Sequence, residues 1–260
     1  MFLAGALFLQ AGISLAGGSG CLRCHESHYE ETGSCTVCHR GNPGTDRISI
    51  AHHDLIPAKY AGFTLAFSPV VKRGRKTVET FGCRRCHVIG AKGNRLATDL
   101  DGVTVMDRPQ RLFDAIETPA FFMPIFSFKE SDITQIVNAI LAEAAPSPKE
   151  RGDGEIGVVV HFENNKQPEE NVFVRHCGSC HQVLTTGFGG LGTGRIGPNL
   201  SGLLSNYYPK SCGEIEPWSS KKLKKWIENP RDVREDALMP PLRLTSAEFS
   251  CLLRLLAAQS

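Results

Sequence analysis

The chain has 260 residues, 41% of them hydrophobic, and 29 Lys and Arg against 27 Asp and Glu give a formal net charge of +2. That length suits two domains or three small ones, and a charge balance this even implies no basic face large enough to track nucleic-acid phosphates. Ten cysteines and nine histidines are the anomaly; cysteine in that number points to an oxidising compartment, to metal sites or to cofactor attachment.

Residues Met1 to Ala16 (MFLAGALFLQAGISLA) are almost wholly apolar and end in Ser14-Leu15-Ala16, a small-x-small pattern. They read as a secretory signal peptide cleaved near Ala16 and predict export, although a positive n-region is missing. An uncleaved anchor is the alternative, for which the run is short against a bilayer core of ~30 Å. No other long apolar run follows, so the mature protein is expected to be soluble.

From residue 21 onward one pattern, C-x-x-C-H, occurs four times: Cys21 to His25, Cys35 to His39, Cys83 to His87 and Cys177 to His181. Two thiols in adjacent positions of a helical turn can form thioethers to the two vinyl groups of one haem, and the next residue brings an imidazole to the iron. Cys21, Cys24, Cys35 and Cys38 would also make a fair zinc ribbon, and an isolated C-x-x-C could be a thiol redox pair. Neither needs a histidine directly after the second cysteine. With 9 histidines in 260 residues, four such placements by chance come to about one in a million. The pattern resembles the c-type cytochromes. That resemblance implies four covalently bound haem c groups, attached through Cys21, Cys24, Cys35, Cys38, Cys83, Cys86, Cys177 and Cys180, with His25, His39, His87 and His181 as proximal iron ligands. Each iron takes a second axial ligand in an electron carrier, whereas a catalyst keeps that place open.

Residues 17–60 carry two motifs in a segment too short for a large apolar core, so the haems themselves would be the core. No Met lies there, but His28, His52 and His53 do. The string CHRGNPGTDRISIAHHDLI resembles dihaem modules of multihaem cytochromes, which implies His52 as a returning ligand and His53 as its exposed neighbour. His28, three residues past His25, cannot easily reach over its own haem and is assigned to the other one. The expectation is a bis-His dihaem module.

Residues 61–145 follow the order of a class I cytochrome c domain. A helix precedes CRRCH, a helical segment runs from Gln110 to Glu117, Met123-Pro124 follows, and an amphipathic helix runs from Lys129 to Leu141. Ile133, Ile136, Val137 and Ile140 recur at helical spacing and give it one apolar face. The resemblance implies Met123 as distal ligand. The loop GNRLATDL lacks the family's proline and leaves open what orients His87. A polar linker over 146–169 contains a possible strand, Ile156 to Val160, and would let the last domain sit against the others or swing.

Residues 170–260 resemble class I cytochrome c more fully, with GTGRIGPNLSGL after His181, a helix from Ser219 to Glu228, Met239-Pro240 and a helix from Ser246 to Ala258. The resemblance implies Met239 as distal ligand and a Pro198 carbonyl that orients His181. Val172-Phe173 would begin a first helix packed on Leu252, Leu253 and Leu256. Lys221, Lys222, Lys224 and Lys225 make a basic face that is either solvated or steers an acidic redox partner. His161 and His176 read as structural or exposed. Cys212 and Cys251 remain after the haems take eight cysteines, either as a disulfide or with Cys251 in the core.

The expected fold is therefore mainly α: two class I cytochrome c helical domains preceded by a small haem-packed dihaem module. The expected function is single-electron transfer between protein redox partners in the periplasm or at the cell exterior, a membrane-associated cytochrome complex being one such partner. Module order loosely resembles cytochromes of extracellular electron transfer and of selenite or tellurite reduction. The alternative is a haem enzyme, peroxidase-like or an oxyanion reductase, with one open iron site.

Overall fold

A computed structural model describes residues 20–103, 109–144, 171–210 and 216–257. The expected leader (1–16), the linker (146–169) with its strand, His161 and Cys212 lie outside the described residues. The chain divides into two compact units, Met1–Pro57 and Ala58–Ser260, and its described elements are mainly helical. The division falls three residues before the boundary expected at 60. The reason is Tyr60, which is fully buried in the second unit and donates its hydroxyl to Gln110 Oε1 at 3.0 Å.

In the first unit two short 3-10 turns (Gly20–Arg23 and Glu30–Thr32) precede α1 (Cys35–His39), which a loop joins to α2 (Ile48–Ala51). Among its described residues only Ile56 is buried, while Leu22, Val37 and Ile48 are exposed. The backbone is pinned by hydrogen bonds from Gly20 N to Pro43 O (2.8 Å), Asn42 N to Ala51 O (2.9 Å) and Ile56 N to His39 O (2.7 Å). Gly41 turns the chain back at φ +78°, where a Cβ would also lie 2.6 Å from the Ala51 carbonyl oxygen. Only glycine meets both demands.

The second unit opens with a 3-10 segment, Ala58–Thr64, and continues into α3 (Pro69–Thr80), capped by the Ser68 hydroxyl, which accepts from Val71 N, with Pro69 in the first turn. Helices α4 (Leu100–Val103), α5 (Pro109–Glu117) and α6 (Glu130–Glu143) follow. The face expected on α6 is the buried one: Ile133, Ile136, Val137 and Ile140 are all inside. Each contributes about 1.5–3 kcal/mol on full burial. Helix α3 crosses α6 so closely at Gly74 that a Cβ there would lie 1.9 Å from the Gln135 carbonyl oxygen.

The chain continues with α7 (Val172–His176), a hairpin of β1 (Val183–Thr185) and β2 (Gly189–Leu191), α8 (Ser220–Glu228) and α9 (Ser246–Leu256). The antiparallel hairpin, with Val183 opposite Leu191, was not expected from the sequence. Val172, Phe173, Leu191, Leu223, Ile227, Leu252 and Leu256 form one core, so α7 packs on α9 as its apolar residues suggest. Cys251 sits on the exposed side of α9, which corrects its reading as core.

Helix α9 starts with a capping box in which Thr245 and Glu248 satisfy each other's backbone N–H groups. Glu248 also receives Arg175 and His176 from α7. Hydrogen bonds from the Thr245 backbone and hydroxyl, then from His176, and the nearby Arg175 charge hold its carboxyl down at about 2. A depressed carboxyl stabilises the fold above its unfolded value of about 4.3, and that contribution is lost as pH falls toward 2. The melting temperature of Glu248→Gln should therefore fall less steeply than that of wild type between about pH 5 and about pH 2.5; parallel curves would contradict this.

Within the second unit, the C-terminal part docks directly on the middle part. Cys86, Leu96, Phe122 and Leu184 pack together, and Asn94 Nδ2 donates to Ser205 Oγ at 2.9 Å.

Candidate functional site

Each C-x-x-C-H motif closes one helical turn. In three of them the histidine N–H donates to the carbonyl of the first cysteine: His25 to Cys21 at 3.0 Å, His87 to Cys83 at 3.1 Å and His181 to Cys177 at 2.9 Å. The fourth, Cys35–His39, is α1 itself. Residues i, i+3 and i+4 of a helical turn share a face, so both thiols and the imidazole of each motif lie on one side.

In the first unit the histidines are paired. The rings of His25 and His52 have centroids 5.9 Å apart, and those of His28 and His39 lie 5.8 Å apart. Two metal–nitrogen bonds of about 2 Å each, plus the half-widths of two imidazoles, give about 6 Å between ring centres. Each pair therefore has the centroid separation expected of two imidazoles that share one metal ion. His52 follows α2, whose Ala51 carbonyl accepts from Asn42 N, and an exposed Arg23–Asp46 pair at 2.9 Å ties the first motif to the chain just ahead of α2. So exposed a pair contributes little energy. His53 points elsewhere, to Asp54 at 3.1 Å.

Three motif histidines share a further feature. His39 Nδ1 lies 3.0 Å from Ile56 O, His87 Nδ1 lies 2.8 Å from Thr98 O, and His181 Nδ1 lies 2.8 Å from Pro198 O. A carbonyl only accepts, so Nδ1 carries the proton and Nε2 keeps its lone pair for a metal. The third and fourth sites build this contact with the same backbone pattern. Ala97 N donates to Cys86 O and Leu100 N to Val88 O, just as Gly197 N donates to Cys180 O and Leu200 N to Gln182 O. Thr98 occupies the place of Pro198, which answers what orients His87. The loop is also tied by the buried Asp101 carboxylate, which accepts from Gly90 and Ala91 N–H at 2.7 Å each.

Burial pushes the Cys83 and Cys177 thiols up to about 11, the neighbouring Cys180 adding to it at Cys177, and burial raises Cys86 as well. Burial lowers His87, against the opposing bond to Thr98, and so favours the neutral imidazole that can ligate.

Met123 and Met239 are both half-buried. Met239 Sδ accepts a hydrogen bond from Trp226 Nε1 at 3.1 Å. That contact was not anticipated; a lone Trp beside the basic run of α8 gave no sign of its partner thirteen residues on. Lys221, Lys224 and Lys225 are exposed on α8, while Lys222 lies 4.8 Å over the Trp218 ring.

The motif at Cys83 has arginines in its two variable places, and both are buried. Arg84 pairs with Glu79 and Glu143 and donates Nε to Ile89 O at 3.1 Å. Arg85 donates to Asn199 O at 3.2 Å and stacks 5.2 Å from the Tyr208 ring. Gln182 Nε2, immediately after His181, is buried without a hydrogen-bond partner among the described residues. No group of three or more His, Cys, Asp or Glu converges on a metal position among the described residues.

No helix among the described residues is long and apolar enough to cross a membrane. Comparison of the chain with protein-family models, curated proteins and solved structures gave no match.

Proposed function

We propose that this chain is a tetrahaem c-type cytochrome that carries single electrons between protein redox partners in the periplasm or at the cell exterior. Its parts would be a bis-His dihaem module followed by two class I cytochrome c domains. The observation that carries the reading is the pairing of each N-terminal motif histidine with a second histidine at the spacing of two imidazoles on one iron. The residues present fit the group in three further respects. Every motif places two thiols beside its imidazole, three imidazoles are locked in the ligating tautomer, and Gln182 Nε2 lacks an acceptor of the kind a haem carboxylate provides.

When bound, haem c supplies a ferric/ferrous couple that exchanges one electron. The chain's own part is to fill the axial places and set their chemistry. In the first unit His52 and His28 would complete the sites of His25 and His39, and in the second Met123 and Met239 would face His87 and His181. The Ile56, Thr98 and Pro198 carbonyls fix ring orientation, and Trp226 holds the Met239 sulfur. A thioether raises the potential relative to a second imidazole, within a span of about 0.8 V for axial ligation.

Stepwise potentiometry tests this. Four haems per chain are expected, all six-coordinate, with two titrating about 0.3 V below the other two, about five decades in equilibrium constant at ~59 mV per decade. Four waves merged within a few tens of millivolts, or a five-coordinate iron in the resting protein, would count against the proposal.

A further inference from the structure

The sixth ligand expected at the third site sits in the segment Phe121-Phe122-Met123-Pro124, and that segment is held from outside its own domain. Asn199 Nδ2 donates to the Phe122 carbonyl at 2.9 Å. The Phe122 ring lies over Gly190, where a Cβ would come within 2.1 Å of it, and packs with Leu184 of β1. The Arg195 guanidinium sits 5.0 Å over the Phe121 ring. Gly190, Leu184, Arg195 and Asn199 all belong to the stretch that follows the fourth motif.

Asn199 is itself fixed on every side. Its Oδ1 accepts from Ser201 N at 3.0 Å, and its carbonyl accepts from Arg85 and from the Tyr208 hydroxyl at 3.1 Å. The preceding residue, Pro198, holds His181. One short loop therefore touches the proximal histidine of the fourth site, the attachment motif of the third and the backbone next to Met123.

We propose that Asn199 is a positioning residue acting across the interface: by holding the Phe122 carbonyl it keeps Met123 on the third iron, so the C-terminal domain governs whether that iron is closed. The inference rests on the haem reading of the Cys83 motif and goes beyond it. Within its own domain the loop is held by apolar packing on either side of Met123, Phe122 against Cys86 and Leu96 and Phe126 and Phe128 against Phe81; the Asn199 amide adds a directional bond to the backbone next to Met123.

The test is Asn199→Asp in the full, haem-loaded chain. Aspartate keeps the acceptor for Ser201 N and replaces the donor to Phe122 by a carboxylate oxygen that repels its carbonyl. The weak red absorption band of a methionine–ferric bond should fall by about half, because one of two methionine-ligated irons is opened. Cyanide should bind one haem per chain about tenfold faster. In a Met123→Leu background Asn199→Asp should remove nothing further, as expected of two residues acting through one bond. Arg195→Gln, an exposed change with little risk to folding, should move cyanide binding in the same direction by a smaller factor. A full band and unchanged cyanide rates in both variants would overturn the inference, as would further band loss in the Met123→Leu background. A wild-type chain with fewer than four haems, or with no such band, would instead overturn the proposed function.

Discussion

In His52→Ala about one quarter of the iron is expected to become high-spin, with the other three haems unchanged, because one of four irons loses its second axial ligand. His28→Ala should have an effect of the same size on a different iron, and the double variant should reach about one half. The reason is geometric: His52 faces His25, whereas His28 faces His39, the proximal residue of the neighbouring motif. His53→Ala should change nothing at iron, since that ring pairs with Asp54. Replacement of His52 by methionine should keep the iron low-spin and raise its potential by about 0.2–0.3 V. Low-temperature electron paramagnetic resonance reads the spin states, and redox titration reads the potential. A double variant that stayed at one quarter would mean that both histidines serve one site, and the crossed arrangement would be wrong.

The second large effect belongs to Gly197→Ala. A Cβ on this residue would fall 2.1 Å from His181 Cε1, 2.5 Å from Nδ1 and 2.7 Å from Nε2. The imidazole has no room to give way without leaving the Pro198 carbonyl, so the cost is a lost ligand orientation as well as about 1–3 kcal/mol of overpacking. The expected result is a fourth haem that is absent or misligated, seen as loss of the Met239-dependent half of the thioether band and a lower melting temperature. Gly187→Ala, at a position with nothing within 4 Å of the added carbon, should behave as wild type. Equal behaviour of the two variants would show that the ring is not confined as described.

Much of the site was legible in the sequence because its chemistry is written in side chains at fixed intervals. Cysteine and histidine spacing marked four candidate attachment motifs, and helical periodicity located α6, α8 and α9. The rest depends on groups with no residue signature. The Thr98 and Ile56 carbonyls act as backbone oxygens, and any residue type would supply them; Pro198 was found only because a family pattern marks its loop. The β1–β2 hairpin has three-residue strands and glycines at two of the three positions of β2, so no alternation announced it. Nothing in the sequence marks Arg84 and Arg85 as buried; Glu79 and Glu143 neutralise one and the Asn199 carbonyl and Tyr208 face receive the other. Glu143 and Asn199 lie 59 and 114 residues from the arginines they meet, and Tyr208 further still, beyond the reach of local pattern.

The scarcity of buried side chains in residues 20–57 bears on how the protein survives in a cell. With Ile56 alone shielded from water among its described residues, this segment has almost nothing to oppose the entropy of an open chain. Cells that export the polypeptide but lack the machinery to attach haem should therefore accumulate a clipped product beginning near Ala58, its first unit digested away. The helical remainder, built on the α3–α6 crossing, should outlast it. On the proposed reading, attachment would then act as quality control, with proteases trimming any molecule whose front end went unfilled.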